Sequence, residues 1–505
     1  MELSFRVDAS LTMGTGHVMR CMALAEALRA RGHECRFICR DLEGNLSEKL
    51  REAGFELTLL PKPTKPSSPQ EGDPPHADWA QVPWEVDAAQ TFAAVQTSDW
   101  LVIDHYAFEA RWEKAAKPAR TKLMVIDDLA DREHVADLLL DQNLGRRACD
   151  YDGLMPDGNE RIIGPKYALL RPEFALNRAK SLKRRGKRNN ILQYILVTIG
   201  GVDLRNTTGA ILDVLNEYSN LNVTVVMGPR AVAVNKVLAQ KANLKIPVEV
   251  VVDTPEISKI MAHADLAISA AGGTSWEKCA MGLPSIITIV AKNQIESAAA
   301  LVETGAAISI GKPQSPEFAT RLRDALRKAQ SPDILGSMSH SAAAIVDGKG
   351  TDRVASALED ALCLREASID HAETIWEWRQ AMSVTHLRRP VVISLEDHLE
   401  WFAKALNDDS RLLYVVGTPF IGHLRLDLDG LGSATVSIIL APQACGKGIG
   451  SRMLSLLADK ARAANIHSLF AEVHENNTTS IALFKSAGYI KMNLSHGYYC
   501  FKLIL

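Results

Sequence analysis

Two glycine pairs, about 250 residues apart, each follow a short apolar strand and each precede a helix. The first lies in Gly14-Thr15-Gly16-His17 and the second in Ala271-Gly272-Gly273-Thr274-Ser275-Trp276-Glu277. Strands alternating with helices predict a parallel sheet covered on both faces. In such sheets ligands sit at the carboxyl ends of the strands. Glycine lets backbone N–H groups approach a ligand oxygen closely. The first N–H groups of a helix are unsatisfied and lie at the positive end of its dipole. Two such turns, one in each of two α/β domains, can hold a diphosphate without a metal.

The strand pattern divides accordingly. Residues 3–8 are an apolar strand, residues 18–31 an amphipathic helix with Met22, Ala25 and Leu28 on one face, and residues 35–39 the next strand. Residues 101–104 and 124–128 are further buried strands ending in carboxylates, so His17, Asp104, Asp127 and Asp128 fall at one end of the sheet. Residues 61–85, rich in proline with Lys, Ser and Asp, read as a mobile loop. Residues 180–188 hold Lys183, Arg184, Arg185, Lys187 and Arg188 and read as a solvated linker in preference to a nucleic-acid arm. The alternating pattern restarts at 195–199 and runs through 223–227, 248–252, 266–270 and 286–290, ending near residue 345.

A third pattern begins near Leu364. It places a helix at 371–382, strands at 412–416, 421–427 and 435–440, a helix at 448–463, a strand at 468–473 and a helix at 477–487 stopped by Gly488. Between the third strand and its helix stands Gln443-Ala444-Cys445-Gly446-Lys447-Gly448-Ile449-Gly450, a Gln-x-x-Gly-x-Gly loop whose glycines free N–H groups to wrap a pyrophosphate at a helix start. Cys445 inside it reads as a small filler, with only Lys447 near enough in sequence to tune a thiol.

A length of 505 residues suits about three domains of roughly 150 each. The expected boundaries are 1–178, 190–345 and 362–505. The net charge of -3 implies no general affinity for nucleic acid or acidic membrane. No apolar run reaches the roughly 18 residues of a membrane helix. The opening Met1-Glu2-Leu3-Ser4-Phe5-Arg6 lacks a charged-then-apolar leader, which argues against export. The eight cysteines show no paired two-residue spacing and read as reduced thiols of a cytoplasmic protein.

Arg6-Val7-Asp8-Ala9-Ser10, followed by Gly14-Thr15-Gly16-His17-Val18-Met19-Arg20-Cys21, resembles the nucleotide-sugar hydrolases of pseudaminic acid biosynthesis. Val102-Ile103-Asp104-His105-Tyr106, Ile126-Asp127-Asp128-Leu129-Ala130-Asp131-Arg132, Gly164-Pro165-Lys166-Tyr167 and Ser269-Ala270-Ala271-Gly272-Gly273-Thr274-Ser275-Trp276-Glu277 extend the resemblance to about residue 345. It implies a GT-B-like pair of Rossmann-type domains. It also implies hydrolysis of UDP from UDP-2,4-diacetamido-2,4,6-trideoxy-β-L-altropyranose, with His17 as the base that activates water. Gly14, Gly16, Arg20, Gly272, Gly273, Thr274, Ser275, Glu277, Asn293 and Gln294 are the implied UDP-sugar ligands. On the residues alone, His17 is either a general base or a helix-start histidine bonded to backbone. Glu277 either binds a ribose hydroxyl pair or stabilises its helix dipole. Asp104, Asp127 and Asp128 either orient His17, bind sugar hydroxyls or cap a turn.

Residues 362–505 resemble the GNAT N-acetyltransferases, an α+β fold. That likeness implies acetyl-CoA as a substrate, held by Ile438, Leu440, Gln443, Gly446, Lys447, Gly448, Gly450 and Asn477. It also implies that the strands at 435–440 and 468–473 splay apart, with pantetheine pairing to the first. The stretch Ser394-Leu395-Glu396-Asp397-His398-Leu399-Glu400-Trp401 resembles the acceptor-side helix of sugar-nucleotide acetyltransferases. His398 and Trp401 are also helical neighbours suited to simple packing. Phe484 stands where the superfamily often has a proton-donating tyrosine, leaving His474, Tyr498 and Tyr499 as substitutes and Glu472 or His474 as base. Together the resemblances imply a bifunctional enzyme that N-acetylates a UDP-4-amino sugar and then removes UDP. Rivals are a glycosyltransferase using the same cleft and a nucleotide-sugar-binding protein with an inactive acetyltransferase. Oligomeric state is not legible.

Overall fold

Strands that are apolar along their whole length are stable only with both faces covered. Trp100–Asp104, Leu138–Asp141 and Leu266–Ala270 are buried throughout, and each lies inside a wholly parallel sheet. The structure, a computed structural model, describes residues 1–505 except 65–66, 96–97, 120, 157–158, 188–190, 201–202, 229–230, 292–293, 361–363, 381–392, 418–419 and 446–448. For residues 360, 443, 452 and 459 it describes the backbone alone.

The first sheet runs Glu56–Leu60, Glu34–Arg40, Glu2–Val7, Trp100–Asp104, Lys122–Ile126, Leu138–Asp141, Glu160–Ile163. The order reverses between Glu2–Val7 and Trp100–Asp104. At such a switch the chain leaves neighbouring strands in opposite directions, and their carboxyl ends open a crevice. The second sheet runs Val248–Val252, Asn222–Met227, Tyr194–Thr198, Leu266–Ala270, Ser285–Thr288, Ala307–Ser309, with its switch between Tyr194–Thr198 and Leu266–Ala270. Its two faces carry separate apolar cores, one around Leu212, Val225 and Leu322, the other around Trp276, Met281 and Leu301. The loop after Leu138–Asp141 meets the helix Ile295–Glu303, which follows Ser285–Thr288. There Ser297 Oγ donates to Asn143 Oδ1 at 3.4 Å, and Arg146 lies 3.3 Å from Glu296. The carboxyl ends of both sheets therefore border one interface, and both sheets belong to one compact unit, Met1–Ala355.

Two sequence expectations are corrected here. The basic run is no linker: it ends the helix Pro172–Lys187, with Ser181 and Arg185 buried. Arg185 donates to the carbonyls of Met261, Ala264 and Met281, and Arg178 to those of Ala280, Ala343 and Val346. These are carbonyls that helix ends leave unsatisfied, so the cations serve as C-terminal caps. The proline-rich stretch holds a 3-10 turn, Ala77–Ala80, and the start of the helix Trp84–Val95. After residue 345 the helix Gly350–Asp360 begins against the first domain, where Thr351 Oγ1 donates to Leu170 O at 2.7 Å.

The second compact unit, Ser356–Leu505, holds a sheet ordered Leu364–Glu366, Arg411–Val416, Gly422–Leu428, Ser433–Leu440, Ser468–His474, Tyr498–Ile504, Ile490–Ser495. Ser433–Leu440 and Ser468–His474 are parallel, and the other pairings are antiparallel. The helices Ala372–Gln380 and Leu395–Leu406 pack one face through Ile375 and Phe402. Ile449–Ala463 and Thr478–Ser486 pack the other through Met453, Leu457 and Phe484.

Candidate functional site

His17 is the second residue of the helix Gly16–Ala30, which leaves Glu2–Val7 at the topological switch. Asp104 ends the neighbouring strand. The two meet: His17 Nδ1 lies 2.6 Å from Asp104 Oδ1. Among the described residues Nε2 has no partner. The ring is 9% exposed, and Tyr106 and Trp79 stand edge-on to it with ring centroids at 4.8 and 6.0 Å. A carboxylate on Nδ1 fixes the tautomer and turns the other nitrogen outward as an acceptor.

Arg20, one helical turn on, holds Asp104 through Nε at 2.6 Å and Nη2 at 2.7 Å, and Asp128 through Nη1 at 2.7 Å. Burial alone would raise the Asp104 carboxyl, but Arg20 and His17 more than offset it and keep it well below the usual carboxylate range. Asp104 is thus a permanent anion beside the imidazole. Burial and Asp128 push the Tyr106 phenol far up, so it stays a donor, 2.5 Å from Asp128 Oδ2. Asp127 is committed elsewhere, to the N–H groups of Leu129 and Ala130, to Tyr151 and to Arg132.

The glycines divide by cause. Gly14 adopts φ +80, and a Cβ on Gly14, Gly16 or Gly273 would meet nothing within 4 Å. Backbone conformation requires glycine at 14, while at 16 and 273 the space is open, as close ligand approach needs. A Cβ on Gly272 would lie 3.5 Å from Gln294 Nε2, so the second glycine turn and Gln294 come together. Gln294 Oε1 accepts from Val290 N–H at 3.0 Å. The helix Thr274–Ala280 has Gly273 as N-cap and no side-chain cap. Ser275 is 1% exposed, and its Oγ has no partner among the described residues. Thr274 stands half-buried beside it. Glu277 is half-buried too, and desolvation pushes its carboxyl up to about 7, offset in part by Arg171 and Lys278. Asn293 lies outside the described residues. A cavity of about 430 Å³ opens at the ends of Tyr194–Thr198 and Ser285–Thr288, between Ile199, Asp203, Arg205, Val290 and Lys312.

In the second unit the register carries the chemistry. Ser433–Leu440 pairs with Ser468–His474 only at Ser433↔Ser468, Ala434↔Leu469 and Thr435↔Phe470. Its other edge stays paired with Gly422–Leu428 through Leu440↔Gly422. Ala441 N–H bonds Ile421 O on that paired side. Because backbone groups alternate along a strand, Val436, Ile438 and Leu440 present N–H and C=O to the gap. A Cβ on Gly450 would lie 3.1 Å from the Leu483 side chain and 3.3 Å from that of Leu440, so a larger residue there would press on both. Asn477 caps the helix Thr478–Ser486, its Oδ1 accepting from Ser480 N–H at 3.0 Å. Gly446, Lys447 and Gly448 lie outside the described residues, as does the side chain of Gln443.

Phe484 is 3% exposed, packed on Tyr489 and Phe501 in the core and away from the gap's polar face. Glu472 is exposed and His474 half-buried on the face opposite that core. His474 Nδ1 accepts from Asn476 N–H at 3.2 Å. A neutral ring bonded that way carries its proton on Nε2 and is a donor there. His398 is buried, with Trp401 and Phe402 both at 5.8 Å. Among the described residues no group of three or more His, Cys, Asp or Glu could hold a metal ion, and no helix is long and apolar enough to cross a membrane. The seven described cysteines are free.

Two facts were not legible in sequence. Trp79 gave no periodic signal inside its proline-rich stretch. The double role of Arg20 needed the spatial proximity of two strand ends.

The first unit is thus a GT-B-type pair of Rossmann domains and the second a GNAT acetyltransferase domain. Residues 194–349 match the glycosyltransferase family 28 C-terminal domain and residues 361–490 the acetyltransferase (GNAT) domain. The chain is homologous to the UDP-2,4-diacetamido-2,4,6-trideoxy-beta-L-altropyranose hydrolase of Campylobacter jejuni, 25% identical over 60% of this chain and 97% of the relative. An uncharacterised protein of Methanocaldococcus jannaschii is 22% identical over 97% of each chain. The crystal structure of Acinetobacter baumannii MurG superposes with a TM-score of 0.52 at 14% identity, covering 71% of this chain and 99% of its own.

Proposed function

We propose that the first unit hydrolyses a UDP-linked sugar, UDP-2,4-diacetamido-2,4,6-trideoxy-β-L-altropyranose. The second acetylates the amine of the preceding UDP-4-amino sugar with acetyl-CoA. The carrying observation is the 2.6 Å contact of His17 Nδ1 with Asp104, which leaves Nε2 unpartnered among the described residues. Water is a poor nucleophile, and a base poised near working pH is worth about 10²–10⁴-fold. His17 Nε2 takes the water proton while the oxygen attacks the anomeric carbon. UDP leaves as an anion, stabilised by N–H groups at Gly16, Gly272 and Gly273, with Gly14, whose own N–H bonds Ser10 O, shaping the first turn. Thr274, Ser275, Glu277, Asn293 and Gln294 line the nucleotide-sugar pocket, with Glu277 toward the ribose. Arg20 is tied to two carboxylates, so its part in the site is to hold Asp104 and not to grip the substrate.

In the second unit the free edge at Ile438 and Leu440 pairs with pantetheine, and Gln443, Gly446, Lys447, Gly448, Gly450 and Asn477 surround the CoA pyrophosphate. The working division is 1–178, 190–345 and 362–505, in the cytoplasm. Incubation of the full chain with the UDP-amino sugar and acetyl-CoA tests both steps by mass spectrometry and free-UDP detection. His17→Gln is expected to abolish UDP release while UDP still binds. Unchanged turnover refutes the role of His17, and release only with an added acceptor makes the first unit a glycosyltransferase.

A further inference from the structure

We propose that Asp128 is a positioning residue for the hydrolytic histidine, acting through Arg20; the inference rests on His17 being the general base. Arg20 stands between two carboxylates, bonded twice to Asp104 and once to Asp128. Asp128 in turn accepts from the Tyr106 hydroxyl at 2.5 Å and from Asn143 Nδ2 at 3.3 Å, and Asn143 touches Ser297 of the second domain.

The charge count gives this arrangement its meaning. Two carboxylates against one guanidinium leave one negative charge while the imidazole is neutral. The cluster reaches zero when the ring takes a proton. Asp104 is fully buried and the Arg20 and Asp128 side chains are 11% and 14% exposed, so the charges within the cluster are less screened than in open solvent. The groups facing His17 are Asp104 from the neighbouring strand, Arg20 from its own helix, Tyr106 beyond that strand, and His76 and Trp79 from the proline-rich stretch. Asp128 supplies the second negative charge and keeps the guanidinium in line with Asp104. In the reaction the proton of water moves to Nε2 as the C–O bond to the anomeric carbon forms. The bond from that carbon to the diphosphate oxygen breaks, and its electron pair departs on UDP. Without Asp128 the cluster is already neutral before the proton arrives, and Arg20 opposes the imidazolium.

The test uses the full chain with Asp128→Asn, Asp128→Ser and Asp128→Glu. The two charge-removing variants are expected to lower kcat for UDP release about tenfold or more, with KM and calorimetric UDP affinity within about twofold. The acidic limb of the rate profile, and the His17 ring titration followed by NMR, move to lower pH in both. Asp128→Glu restores them. Asp128→Ser keeps a hydroxyl for Tyr106 and Asn143 and carries the same test if the Asn variant fails to fold. Unchanged kcat and ring titration in a folded variant overturn the proposal. If the wild type releases no UDP, a downward shift of the ring titration still supports the positioning role, while the hydrolytic role falls alone.

Discussion

The two units build their sites from different parts of the chain. In the first, side chains carry the chemistry: an imidazole and a guanidinium from one helix start, each within 2.7 Å of a carboxylate that ends the neighbouring strand. In the second, the backbone carries it: a strand whose pairing stops at Thr435 leaves alternate peptide groups facing a gap. A side-chain site is broken by one atom in one residue. A backbone site tolerates most side chains and fails only where an N–H is removed.

The largest expected effect follows from that contrast. Asp104→Asn keeps the shape of the contact but replaces an anionic acceptor with an amide. The imidazole loses both its tautomer lock and the charge that stabilises its protonated form. UDP release is expected to fall about 10²–10⁴-fold with UDP affinity retained. Steady-state kinetics beside a thermal melt checks it. A loss confined to KM makes Asp104 a substrate ligand instead.

The parallel sheets were legible because their strands are continuously apolar and end in glycine or carboxylate. His17, Asp104 and the paired glycine turns fell at strand ends, where ligands of such sheets bind. The basic run at 180–188 misled because solvated and capping arginines look alike in sequence. Only the facing carbonyls of Met261, Ala264 and Met281 distinguish them. Phe484 looked like a missing acid, yet its burial against Tyr489 and Phe501 makes it a core residue. The edge strands Ile490–Ser495 and Ala307–Ser309 went unread, the first because its residues are exposed throughout and the second because it is only three residues long.

Glu277 sharpens the comparison from the nucleotide-binding side. Desolvation raises its carboxyl to about 7 from 4.5. The folded state therefore holds this proton more tightly than the unfolded chain. The associated stability is complete below about pH 4.5 and is lost as pH rises through about 7. Glu277→Gln never ionises, so its advantage over wild type is expected to open between pH 5 and pH 8, reaching about 1–3 kcal/mol. Denaturant unfolding at both pH values measures it. A simultaneous loss of UDP affinity ties the costly carboxylate to the ligand, and unchanged affinity leaves it a first-turn partner of the helix dipole.

The smallest effect probes the backbone site. Alternation puts Ile438 N–H on the gap side, opposite the edge that pairs with Gly422–Leu428. Proline at 438 therefore deletes one donor to the gap and leaves the bonds to the neighbouring strand. A single hydrogen bond is worth about 0.5–1.5 kcal/mol net. Ile438→Pro is expected to raise KM for acetyl-CoA up to about tenfold, while UDP release by the first unit is unchanged. Ile438→Val, which keeps the N–H, is expected to behave as wild type. If Ile438→Val is as damaging as Ile438→Pro, the side chain and not the peptide edge holds the ligand, and the contrast between the two units disappears.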